Sequence, residues 1–164
     1  MVEVKRIGLV KHFILSFLTL TLYNYWWVYK TWLFFKEKEK SDINPALRTI
    51  FSTVFLIPLF YRVEKEAVSN KVARILLSVF LFAGILFFSL LAYLPAPSSF
   101  VYLFSIVFFI QPVIVFNLML NNCEDVTVIE QTSYNWKQII LLVFGGLFWG
   151  LILLTIIVKL FGMI

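Results

Sequence analysis

At 164 residues, with 62% hydrophobic and 14% charged side chains and a mean hydropathy of +0.94, the chain lies far outside the composition of soluble domains. Its formal charge of +5 is spread over segments that flank apolar runs, which points to anionic lipid and away from nucleic acid. A lone cysteine, Cys123, excludes an internal disulfide and a cysteine-built zinc site, and the length leaves room for one domain, residues 1–164.

Lys5, Arg6 and Lys11 precede the apolar run FILSFLTL in the manner of a secretory signal, but no small-residue cleavage site follows, so the segment is expected to be retained. The first apolar segment, Phe13 to Tyr29, is interrupted by Thr19, Thr21 and Asn24. It runs into YNYWWVYKTW, where aromatic residues follow helical spacing just ahead of the charged run KEKEK. Rings with an apolar body and a polar edge favour the headgroup layer, and a lysine reaches phosphates from the same level. Tyr25, Trp26, Tyr29, Lys30 and Trp32 are therefore expected to be interfacial anchors. The alternative is an aromatic cage for a quaternary ammonium, with Glu37 or Glu39 supplying charge.

The second apolar segment, Thr49 to Tyr61, falls below the length that spans a bilayer. On a helical wheel Asn44, Arg48, Thr49, Ser52 and Thr53 gather on one arc, and Ile43, Leu47, Ile50, Phe51, Val54 and Ile57 on the other. That pattern predicts an amphipathic helix lying in the interface or presenting its polar arc to a protein interior. Arg48 is the charged residue to single out, because an ionisable side chain near hydrocarbon must snorkel to phosphate, find a carboxylate or meet a ligand. Taken together, YNYWWVYKTW, the charged run after it, and Pro45, Arg48 and Phe51 in a Pro-x-x-Arg-x-x-Phe pattern resemble a group of small bacterial inner-membrane proteins. Asn117, Asn121, Trp136, Gly145, Gly146 and Trp149 extend the likeness over most of the chain, though Tyr23 and Trp26 are offset from the group's aromatic pattern. The resemblance implies an inner-membrane protein and no known activity, substrate or cofactor.

Three later runs, Ile75 to Leu94, Phe100 to Leu120 and Ile139 to Val158, have the roughly 20 residues that a bilayer core demands. The segment PAPSS is too short for anything but a tight return, so the first two form a hairpin. Gln111 before Pro112, then Asn117 and Asn121 one turn apart, draw a polar line on the second long helix. The line serves interhelical hydrogen bonding or, with Arg48, a candidate ligand site. A polar loop with a short interfacial element is expected between Leu120 and Ile139. In the last helix Gly146 and Gly150 lie four apart with Gly145 adjacent, which predicts a packing face for a helix of this chain or of another copy.

Lysine and arginine accumulate on the cytoplasmic side in short loops. If all five apolar segments crossed, the two sides would carry nearly equal basic charge. If only the second short segment failed to cross, the basic charge would fall mostly on one side. If both short segments returned to the side they entered from, every Lys and Arg except Lys159 would share one side, so the bias favours at least one segment that does not cross. The expected architecture is therefore an all-α membrane bundle. Residues 1–74 form a basic part with two short re-entrant or interfacial helices, and residues 75–164 form three full transmembrane helices. His12 has no second histidine for a zincin pair, and the carboxylates fall in loops, so no enzyme constellation, metal or cofactor is expected. The sequence supports a non-catalytic membrane component, oligomeric or accessory to a larger assembly. Its partners would be anionic membrane lipids and another membrane protein or a second copy. The alternative is a binder or carrier of lipid or a small solute through a polar intramembrane site.

Overall fold

The computed structural model describes residues 2–95, 98–123, 126–131 and 133–160. Strand β1 (Val2–Arg6) leads into helices α1 (Leu9–Leu18), α2 (Leu22–Glu39), α3 (Pro45–Ile50), α4 (Ser52–Val63) and α5 (Lys71–Leu90). A 3₁₀ segment (Ser98–Ile106) continues into α6 (Val107–Asn121), and β2 (Val126–Glu130) precedes α7 (Trp136–Leu160). The chain is an all-α bundle with one short strand pair at its polar end. Three helical stretches are long and apolar enough to cross a membrane: Lys71–Tyr93, Ser98–Asn121 and Trp136–Thr155. At 1.5 Å per residue each covers roughly 30 Å or more, and their limits lie within a few residues of the apolar runs.

Two of the helices, α3 and α5, start at asparagine caps. The Asn70 side chain accepts from the amides of Val72 and Ala73 at the head of α5, and Asn44 accepts from Leu47 ahead of Pro45 in α3. The α5 hairpin with the second span is close-packed. A Cβ at Gly84 would meet the Phe108 ring at 2.1 Å, so only glycine lets that ring lie flat on α5. Around α2, Trp27, Phe34, Phe60, Phe109 and Phe116 meet edge to face and fill the centre of the bundle.

The first short segment does not continue through its polar interruptions. α1 stops at Leu18, and Leu20 and Thr21 take left-handed backbone angles, φ 52 and 71. That conformation is unfavourable for residues with a Cβ, and local hydrogen bonds hold it. The Thr19 hydroxyl donates to the Leu15 carbonyl and accepts from the Tyr23 amide, while the Thr21 amide reaches the Ser16 carbonyl. A turn at bilayer depth must satisfy its backbone internally, and the threonine does so. α2 then runs back beside α1, with Ser16 donating to Asn24 Oδ1 at 2.7 Å. Against α7 the tip sits halfway along. Lys11 lies over Tyr134, whereas Phe17 stacks on Trp149 and Leu18 abuts Gly145.

α3 and α4 repeat the manoeuvre. Arg48 of α3 lies over Trp32, and Ile50 lines a hollow with Leu22 and Tyr25, so α3 descends along α2. α4 climbs again from Ser52 beside Asn24 to Arg62, which pairs with Glu39. The single amphipathic helix suggested by the wheel is thus two helices jointed at Phe51. Its polar arc turns inward at Arg48 and Ser52, while Ile50, Phe51 and Val54 are exposed at the tip, as suits hydrocarbon. Both short segments therefore turn back, and the basic residues other than Lys159 gather at one end of the bundle.

The polar loop between Leu120 and Ile139, expected to hold a short interfacial element, contains a strand. β2 pairs in parallel with β1, in register from Val2↔Val126 to Arg6↔Glu130. Val4 and Val128 pack on the core, which follows from strand alternation. Arg6 bonds Glu130 at 2.6 Å and Asn121 at 2.8 Å, tying the pair to the end of α6.

Candidate functional site

The four polar residues of the candidate ligand site are not brought into one pocket. Arg48 lies 4.3 Å from the centre of the Trp32 ring and 5.3 Å from that of Phe55. Asn117 donates to the Ile7 carbonyl, and Asn121 accepts from Arg6, so both hold the β1 segment against α6. Gln111 stands apart from all three, beside Glu64.

The aromatic anchors divide in the same way. Tyr25 and Trp26 are exposed, with Lys30 5.6 Å above the Trp26 ring, as headgroup-level residues would be. Trp32 is different: it is 0% exposed, with the guanidinium groups of Arg48 and Arg62 over its ring and Phe35 at its edge. Planar guanidinium groups stack on an indole where an ammonium would not. Burial lowers the Arg48 pKa, neighbouring Arg62 lowers it further, and Glu39 opposes both. Glu39 thereby serves an arginine pair, leaving it poorly placed to balance a quaternary ammonium near Trp26.

Two ionisable groups, Glu64 and His12, are buried. Glu64, at the end of α4, is 0% exposed, and neither carboxylate oxygen has a hydrogen-bond partner. Burial raises its pKa above the ordinary value. The neighbouring Gln111 side chain offsets the rise in part. His12 sits between the edges of Tyr23 and Trp27, 2% exposed, with neither ring nitrogen bonded. Burial pushes its pKa down to about 4 against a weaker opposing effect of Asn24. Beside it a polar chain links the first hairpin to α7. Gln138 donates to the Tyr23 hydroxyl at 3.1 Å and accepts from Gln131 and the Asn135 amide. Burial raises the Tyr23 pKa to about 12, which Gln138 opposes.

Two hollows adjoin these groups. A cavity of about 50 Å³ lies where the hairpin tips meet the first two spans, with Thr21, Asn24, Ser52, Ser89 and Ser105 in its wall. Its size and hydroxyl lining suit a few hydrogen-bonded waters. The second is a groove of about 670 Å³ between α2, α3 and the start of α7, walled by Tyr25, Trp26, Tyr29 and Trp136. That volume is in the range of small-ligand sites.

Of the glycines in α7, Gly145 faces inward and Gly146 and Gly150 face open space, with nothing within 4 Å of an added Cβ at either. Among the described residues no three His, Cys, Asp or Glu side chains gather as a metal site. Comparison with protein-family models, curated proteins and solved structures finds no match.

Proposed function

We propose that the chain is a non-catalytic component of a bacterial inner membrane, with its basic end toward the cytoplasm, that packs against a further membrane helix through α7. The observation that carries this reading is the state of α7. Its span is 11% buried, compared with 17% for Lys71–Tyr93 and 50% for the span that ends in α6, and what sets it apart is an outward side with Gly146 and Gly150 four residues apart. In lipid there is little hydrophobic drive between helices, so close approach depends on small residues that bare the backbone. The interior polar groups support a structural role. Asn117, Asn121, Gln138 and Thr19 each tie one segment to another. The orientation is supported by the gathering of basic side chains at one end, and the bacterial setting by the resemblance of the aromatic and Pro-x-x-Arg-x-x-Phe segments.

Gly146→Ile should reduce the associated fraction of the full chain severalfold, read by native mass spectrometry or membrane cross-linking. The melting temperature of the monomer should hold, because nothing lies within 4 Å of that position. Leu151→Ile should change neither. A wild-type chain that is monomeric and partnerless in its own membrane would sink the proposal. Orientation is tested separately: an impermeant thiol reagent should label Ser98→Cys in intact cells and spare Glu39→Cys, and the reverse pattern would invert it.

A further inference from the structure

The groove between α2, α3 and α7 has an amphipathic gradient along its length. At one end Tyr29, Lys30 and Lys137 lie near the polar end of the bundle. At the other, Leu22 begins α2, Ile50 ends α3 and Leu141 lies one turn into α7. α2 and α7 thus each place a cation toward one end and an apolar side chain toward the other. The two cations converge on one ring: the Lys30 and Lys137 ammonium groups stand 5.6 and 5.8 Å from the centre of Trp26, and Lys137 also stands 5.6 Å from that of Trp136. Among the described residues neither lysine is paired with a carboxylate. The polar groups in the floor are already engaged, since Gln138 bonds Tyr23, Gln131 and Asn135.

We propose that this groove binds one anionic glycerophospholipid, its phosphate between Lys30 and Lys137 and an acyl chain along Leu22, Ile50 and Leu141. Charge decides the class of occupant. Two unpaired ammonium groups beside Trp26 repel a quaternary ammonium from the ring that would otherwise attract it, and they attract net negative charge. The aromatic wall provides rigid contact area for the glycerol and upper acyl region. This inference stands independently of any partner for α7.

The test uses the full chain in nanodiscs of equimolar phosphatidylglycerol and phosphatidylcholine, released into native mass spectrometry. Wild type should retain phosphatidylglycerol over phosphatidylcholine on the order of tenfold, the preference two lysines near a headgroup confer. Lys30→Gln with Lys137→Gln should bring that ratio near parity, and Ile140→Trp, which fills the groove, should remove the retained lipid of either kind. Both lysines are exposed, so the double variant should fold and decides the matter if Ile140→Trp does not. Parity in wild type, a preference for phosphatidylcholine, or a ratio unmoved by the double variant would overturn the assignment.

Discussion

Gly145→Leu should lower the stability of the bundle by about 3 kcal/mol or more, and Gly145→Ala by about 1–2 kcal/mol. A Cβ there would stand 2.3 Å from the Leu18 carbonyl oxygen and 2.8 Å from its carbon, and backbone cannot rotate aside as a ring can. Alanine gains up to about 1 kcal/mol of helix propensity over glycine, but the clash is larger because α1 must shift as a whole. That shift also loosens the stack of Phe17 on Trp149 and the bond from Gln138 to Tyr23. Gly146→Ala, one residue along and facing open space, is the matched control and should be neutral or slightly stabilising in the monomer. Thermal unfolding in detergent reads all three. Equal melting of Gly145→Ala and wild type would refute the close contact between α1 and α7.

Acid should weaken the first hairpin through His12. Its pKa falls from 6.5 to about 4 on burial, so below about 6.5 an unfolded chain binds a proton that the folded chain refuses. The contribution of neutral His12 is therefore whole above that pH, declines as pH falls, and is lost by about pH 4. At 1.36 kcal/mol per pKa unit the loss is about 3 kcal/mol. The side chains around the imidazole are Tyr23, Trp27 and Asn24, and Tyr23, raised to about 12, does not titrate in that window. Glu64 acts in the opposite sense: a buried carboxyl with a raised pKa loses stability as pH rises through its folded value. The measurement is therefore the difference between wild type and His12→Gln across the acid range. Parallel pH curves for the two proteins would mean that His12 is solvated.

The three spans were legible because hydrocarbon thickness sets their length and composition marks it. The return of the two short segments was legible only through charge, since nothing in Leu20 or Thr21 announces a left-handed turn that glycine would have advertised. Alternation in VEVKR and VTVIE is a strand signal, but each stretch is only five residues long, and a partner so far away in sequence leaves no local trace. Spacing placed Trp32 in line with Tyr25 and Tyr29, but Arg48 of α3 and Arg62 of α4 close over Trp32, so that ring is buried while Tyr25 is exposed. Glu64 reads as one charge of a loop until the end of α4 is seen to press it against α6. Likewise, spacing selects Gly146 and Gly150, whereas the position of α1 decides that Gly145 is the glycine the chain itself requires.

The parallel strand pair also imposes an order on biosynthesis. Arg6 and Glu130 are 124 residues apart, so at roughly 5–20 residues per second β1 waits about ten seconds after leaving the ribosome for the strand that receives it. Until then the first hairpin has neither the Arg6 tie to Asn121 nor α7 beneath its tip, and its apolar faces stay open to insertases and proteases. A chain stalled before residue 126 would keep that open edge, which would give a quality-control protease a means of telling an unfinished protein from a finished one.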